Sequence, residues 1–303
     1  MRAEFALHNA TMFVLAHLSD LHLASRPPLA DLVSKRGLGF INWHRRRKHV
    51  HRANVLDAIT RDLQSRNPDH VAVTGDLINF STRSEYRRAR SWLETVGPPA
   101  AVTVIPGNHD IYVPAAAKWP GEFWNEYMRG DGDVDGGSFP FVRRRAKVAL
   151  VALSSALPTG PFLATGFLGE PQLVRFAAAL EETRGLFRVV LIHHPPTIAG
   201  RRHLRRLIDA VEFRRVLAAK GAELVIHGHD HHHSLVWLDG PQRPIPAAGA
   251  PSASAQAAHG SEDAAGYNLF RIAEANGGFS CEMIMRQRTT DGGVREFGRR
   301  TLA

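Results

Sequence analysis

The chain has 303 residues, 44% apolar and 22% charged, which is ordinary for a globular protein able to bury a large core as one α/β domain or two smaller ones. Its 38 Lys and Arg against 29 Asp and Glu give a formal charge of +9, which favours anionic partners such as phosphates, nucleic acid or a lipid headgroup surface without choosing among them. The single Cys281 excludes an intramolecular disulfide and fits a reducing cytoplasm, and no apolar run approaches the roughly 20 residues that a membrane-spanning helix needs.

Residues 1–10 read as a loose leader, because Glu4, His8 and Asn9 break any signal-peptide pattern. Phe13–Leu18 is the first core strand, with Asp20-Leu21-His22 at its C-terminal end. Arg26-Pro27-Pro28 opens an insert over 26–49. A helix follows, with Val50, Asn54, Leu56, Ile59 and Leu63 near helical spacing, and Asn67-Pro68-Asp69 stops it. His70–Thr74 is a second strand that ends in Gly75-Asp76. Another helix covers about Glu85 to Thr95, and Ala101–Ile105 is a third strand whose exit turn is Pro106-Gly107-Asn108-His109-Asp110. The Pro-, Gly- and Asp-rich stretch 114–138 reads as a loop or small cap.

Lys147–Leu153 is a strand, and Glu170-Pro171 starts a helix with Leu173, Phe176 and Leu180 on one face. The strand Arg188–Ile192 delivers His193 and His194. A basic helix runs from about Arg205 to Lys220, and Glu223–Ile226 then delivers His227-Gly228-His229-Asp230-His231-His232-His233. Beyond 233 the strand-like pieces 235–238, 245–247, 267–272 and 279–284 have no helices between them, which predicts antiparallel completion of a second sheet. Residues 249–265 read as a loop and 286–303 as a frayed or edge-bound tail. No internal repeat or linker divides the chain, so a single domain over 1–303 is expected.

Five polar turns follow apolar strands, and in chain order they carry Asp-x-His, Gly-Asp, Gly-Asn-His-Asp, His-His and Gly-His-x-His. Imidazoles spaced two apart at a strand end are a poor way to build a core and a good way to hold a metal. At these motifs the chain resembles the calcineurin-like metallophosphoesterase superfamily, and within it the bacterial class III phosphodiesterase branch. The resemblance implies a four-layer αββα sandwich of two mixed sheets, with the site at the strand ends. It also implies two divalent metal ions, one held by Asp20, His22 and His231, the other by Asn108, His193 and His229, with Asp76 bridging. Of the neighbours His193 and His194, the family pattern favours the first as ligand. No thiolate takes part, so Mn, Fe, Co or Zn all fit the donor set.

The implied reaction is hydrolysis of an anionic phosphoester, more specifically a phosphodiester, by a hydroxide bridging the metals. His109 then faces the phosphate, and Asp110 holds the His109 ring in one tautomer. Pyrophosphate cleavage in a nucleotide-sugar lipid is an alternative, and a metal-binding scaffold without catalysis is a reading of another class. Purple acid phosphatases carry a tyrosine three residues after the bridging aspartate, where this chain has Asn79, so no tyrosinate–iron colour is expected. The basic stretch 35–52, from Lys35-Arg36 through Arg45-Arg46-Arg47-Lys48, has three readings: a solvated surface, an electrostatic funnel over the site, or an interfacial element for lipid or nucleic acid. The expected location is cytoplasmic, with peripheral contact at the inner membrane face left open.

Overall fold

Apolar runs of four to six residues are long enough for one strand each, and in the computed structural model they build two six-stranded sheets. The structure describes residues 12–23, 36, 37, 40, 50–133, 138–197, 203–275 and 277–303. The leader at 1–10, most of the insert at 26–49 and most of the basic stretch 35–52 lie outside the described residues, so the readings made for them rest on sequence.

In chain order the strands are β1 (Phe13–Leu18), β2 (His70–Val73), β3 (Val102–Val104), β4 (Phe141–Arg145), β5 (Val148–Ala152), β6 (Phe187–Leu191), β7 (Leu224–His227), β8 (Ser234–Leu238), β9 (Ile245–Gly249), β10 (Gly266–Ala275), β11 (Gly278–Arg288) and β12 (Val294–Thr301). The helices are α1 (Ala53–Gln64), α2 (Arg83–Val96), the short α3 (Trp119–Trp124), α4 (Glu170–Glu182) and α5 (Ala210–Lys220). The first sheet orders β12-β11-β10-β1-β2-β3 and the second β4-β5-β6-β7-β9-β8. Both are mixed: β1, β2 and β3 are parallel while β10 runs antiparallel to β1, and β5, β6, β7 and β9 are parallel between antiparallel β4 and β8. This is the expected pair of mixed sheets.

The layering follows from the two-residue period of a strand. Leu150, Val189, Leu191, Leu224 and Ile226 join the core that also holds Leu15, Leu18 and the α1 residues Leu56 and Ile59. Their alternates Val151, Val190, Ile192 and Val225 pack instead with Phe176 and Leu180 of α4 and Phe213 and Leu217 of α5. One sheet face thus meets the other sheet and the opposite face meets helices. α2 begins at a capping box in which Thr82 and Glu85 satisfy each other's backbone N–H groups. Among the described residues no helix is long and apolar enough to cross a membrane.

Several expectations change. The strands after 233 do not all complete one sheet. β8 and β9 join the second, β9 lying parallel to β7, whereas β10, β11 and β12 extend the first from the free edge of β1. Alternation along a strand says which face is buried, not which edge it joins. Of the two readings of the tail the edge-bound one holds, since β12 pairs with β11 at the edge of the first sheet. The helix expected from Arg205 starts at Ala210, because residues 204–208 exchange backbone hydrogen bonds with Ala164 and Gly166. Strand β4 was hidden by Arg143-Arg144-Arg145. The buried Arg143 guanidinium donates to the carbonyls of Pro99, Val102, Glu126 and Arg129 at 2.6–2.7 Å. The stretch after 114 is a packed cap on α2: Trp124 is buried with its ring 4.8 Å from that of Tyr86.

Candidate metal centre

The exits of β1 and β2 run side by side. The N–H groups of Asp20 and His22 donate to the carbonyls of Gly75 and Asp76, both at 3.0 Å. On the second sheet the exits of β6 and β7 are joined in the same way, the Gly228 N–H donating to the His193 carbonyl at 3.1 Å. A short side chain can point back into such a crevice only if the backbone turns sharply. Asp20, His22, Asp76, His229 and His231 all have positive φ, between 44° and 72°. Non-glycine residues seldom adopt this conformation, and where it persists it marks functional positions.

Glycines let the exits close on one another. A Cβ on Gly107 would lie 2.2 Å from Asp76 Oδ1, and one on Gly228 would lie 1.8 Å from Ser19 Oγ. The sheets then meet through a side chain, as the His229 N–H donates to Asp20 Oδ2 at 2.8 Å.

All seven side chains expected to hold metal come together and are buried. In one cluster His231 Nε2 lies 3.1 Å from Asp20 Oδ1 and 3.2 Å from His22 Nε2. In the other, His193 Nε2 lies 3.3 Å from Asn108 Oδ1 and 3.2 Å from His229 Nδ1. Asp76 stands between them, its Oδ2 4.0 Å from His22 Nε2 and 3.5 Å from His193 Nε2. Asp20, Asp76 and Asn108 come from the first sheet, whereas His193, His229 and His231 come from the second.

The donors fit a cation. The His193 Nδ1–H donates to the Thr74 carbonyl at 2.7 Å, and that of His231 to Glu262 Oε2 at 3.0 Å. In the neutral rings this leaves each Nε2 with a lone pair, 3.2 Å from another imidazole nitrogen and beside a buried carboxylate, a donor set that suits a cation. The buried carboxylates draw positive charge to these rings. Burial pushes His193 down, but Asp76 outweighs it and lifts the ring to about 9. For His231, burial is likewise outweighed by Asp20, again to about 9. Burial opposes ionisation of Asp76, yet His193 and His109 hold its carboxyl well below the usual range. His229, by contrast, is held neutral by burial and by its histidine neighbours.

His193 and His194 separate by their partners. Both His194 nitrogens are engaged, Nδ1 by Ser155 Oγ at 2.7 Å and Nε2 by the Ala164 carbonyl at 3.2 Å, whereas His193 directs Nε2 at Asp76 and Asn108. His17 bonds Thr74 Oγ1 at 2.9 Å and stacks on Phe270, as a core residue should. His227 is buried against the Gly228 carbonyl, and His233 turns inward to Asn268.

The role expected of Asp110 is corrected. The His109 Nδ1–H donates to the Asn79 carbonyl at 2.8 Å, so that carbonyl orients the ring. The Asp110 carboxylate instead accepts from the backbone N–H groups of Leu77, Ile78 and Gly107 at 2.8–3.2 Å, clamping the β2 and β3 exits together. Sequence reasoning also missed Glu262 behind His231, and His51, whose ring lies 4.6 Å from that of His22. Neither sits in a motif, and both reach the site from segments read as plain loop or insert.

Comparison with known proteins agrees with this geometry. The family model for calcineurin-like phosphoesterases matches residues 13–233. A probable cyclic nucleotide phosphodiesterase of Synechococcus sp. is 29% identical over 181 residues, 57% of this chain and 62% of that protein. The chain thus matches less than two thirds of that relative's length. Purple acid phosphatase PPD1 of yellow lupin (Lupinus luteus) superposes with a TM-score of 0.58 at 11% identity, over 95% of this chain and 53% of that one. GAP50, the anchor in the inner membrane complex of Plasmodium, superposes at 0.55 and 11% identity, over 96% and 88%. At such identities the superpositions show a shared fold alone.

Proposed function

Because the chain belongs to the calcineurin-like phosphoesterase family, and so is a metal-dependent phosphoester hydrolase, we propose that it cleaves phosphodiesters with two divalent cations. The observation that carries this reading is the pair of donor clusters sharing Asp76. Two cations bound there would supply Lewis acidity to the phosphoryl oxygens and make a bound water acidic enough to attack at neutral pH. Asp20, His22 and His231 would hold one ion and Asn108, His193 and His229 the other. Imidazole, carboxylate and amide donors without a thiolate suit Mn, Fe, Co or Zn. Two carboxylates against two dications leave net positive charge, which binds an anionic substrate. The preference for a diester rests on the relative's name, and the cytoplasmic setting on the lone, buried Cys281.

His109 supplies the proton chemistry. Its Nδ1–H is committed to the Asn79 carbonyl, and its backbone N–H holds Asp76 Oδ1 at 2.8 Å. Nε2 would meet the phosphoryl group, with a proton for the departing alkoxide in the imidazolium form. The ring stacks on Tyr112 with centroids 5.4 Å apart, which fixes its plane. His109→Ala is expected to lower kcat about 100-fold while both metals stay bound, read by turnover and metal analysis on the same sample. Loss of metal instead would make His109 a ligand.

Glu262 acts through His231 by fixing its tautomer and raising its basicity. Glu262→Gln is expected to weaken binding of one ion about 10-fold and leave the other unchanged in a calorimetric titration. Affinities for both ions unchanged from the parent chain would remove Glu262 from the site.

The experiment that tests the whole reading compares Mn-loaded protein on bis-p-nitrophenyl phosphate, a cyclic nucleotide, p-nitrophenyl phosphate and a lipid-linked nucleotide-sugar pyrophosphate. Diesters should turn over fastest. A monoester or pyrophosphate turned over faster would move the substrate class, and inactivity on all four would leave a metal-binding scaffold.

A further inference from the structure

His51 stands outside every motif, yet its ring lies inside the first donor cluster. One nitrogen from each of His22, His51 and His231 lies within 4.8 Å of the other two, and all three side chains are buried. We propose that His51 is a third imidazole ligand of the ion held by His22 and His231. This rests on the two-metal reading and goes beyond it.

The first argument is the arrangement of the rings. Their centroids lie 4.6 Å apart for His22 and His51, 5.1 Å for His22 and His231, and 5.9 Å for His51 and His231. An imidazole bound at about 2.0–2.1 Å puts its centroid about 3.2 Å from the ion, so rings at about 90–140° to one another stand about 4.5–6 Å apart. All three separations fall in that window, as they do for rings grouped around one point.

The second argument is the tautomer. His51 Nδ1 lies 2.8 Å from Ser254 Oγ and 3.3 Å from Ser252 Oγ. The Ser252 hydroxyl spends its own proton on the Asp20 carbonyl at 2.6 Å, so toward His51 it can only accept. With its proton on Nδ1, donated to these hydroxyls, the ring would turn an Nε2 lone pair toward the ion, which is the tautomer the proposal requires. This is the arrangement by which Glu262 prepares His231 and Thr74 prepares His193, made here with hydroxyls.

The third argument is that the backbone delivers His51 rigidly. Residues 50–52 pair with 254–256, the Arg52 N–H donating to the Ser254 carbonyl at 3.0 Å and the Gln256 N–H to the Val50 carbonyl at 2.8 Å.

The two ion positions then differ in kind. One has three imidazoles with Asp20 and Asp76, the other two imidazoles with Asn108 and Asp76. The nitrogen-rich position selects Co, Zn or Fe over Mn or Mg, whereas the second discriminates less.

The test titrates Zn and Co into the metal-free full chain and into His51→Ala and His51→Gln, following heat, ion stoichiometry and the visible spectrum of the Co form. In the parent chain two ions should bind. In both variants one binding step should weaken by about 10- to 100-fold, the other should hold, and the Co bands should shift as an imidazole is lost. Ser254→Ala should give a smaller weakening of the same step. Two ions bound with unchanged affinities and Co spectrum in both variants would overturn the role of His51 and leave the two-metal reading standing. Fewer than two ions in the parent chain would bring down both. If His51→Ala fails to fold by circular dichroism, His51→Gln, close in size and neutral, decides alone.

Discussion

Asp76→Ala is expected to lower phosphodiester turnover at least about a thousandfold and to leave fewer than two ions bound per chain. Asp76 Oδ2 lies within 4.0 Å of a histidine nitrogen from each cluster. Its Oδ1 accepts the N–H of His109, so the same side chain also sets the proposed proton donor. Metal-based stabilisation of developing charge is worth several kcal/mol, and about 1.4 kcal/mol corresponds to a decade in rate. Asp76→Asn keeps the shape and removes the charge. It should fold like the parent and lose nearly as much activity. Asp57→Ala, an exposed acid on α1, should change neither quantity. Full metal content and more than a tenth of parental turnover in Asp76→Ala would refute the shared-carboxylate arrangement.

Gly75→Ala is expected to destabilise the fold by about 3–5 kcal/mol, seen as a lower urea midpoint at constant slope. Gly75 has φ +94°, where an L side chain is strained. Its Cβ would also sit 2.5 Å from Gly107 N, 2.7 Å from Gly107 Cα and 2.8 Å from His193 Nδ1. Two of these are backbone atoms of the β3 exit, so relief requires moving the segment that carries Asn108. Gly185→Ala isolates strain from collision, since Gly185 has φ +87° and nothing within 4 Å of its Cβ. That variant should cost about 1 kcal/mol. Equal costs at the two positions would mean that the close approach of the β2 and β3 exits carries no weight.

The site was more legible in the sequence than the fold around it. Asp20, Asp76, Asn108, His193, His229 and His231 each lie within four residues of the end of a buried strand, and a buried strand is recognisable from an apolar run bounded by glycine and polar residues. Strand β4 was not legible because a buried arginine reads as surface until its carbonyl partners are known. The division of β8–β12 between two sheets was not legible because edge choice depends on contacts between segments far apart in the chain. His51 and Glu262 escaped for a related reason: His51 is 29 residues from His22 and Glu262 is 31 from His231, and nothing local marks either. Asp110 was misassigned because adjacency to His109 suggested a contact. A backbone turn between them sends the carboxylate to three N–H groups instead.

Asp20, Asp76 and Asn108 ride on one sheet and His193, His229 and His231 on the other, so each cation of the proposed pair would be a rivet through the seam of the sandwich. Its binding energy would then also be cohesion between the layers, by thermodynamic linkage. A chain stripped of its ions would keep the His229 N–H to Asp20 bond and the shared core but lose that added cohesion, leaving Asp20 and Asp76 side by side on one layer without a cation between them.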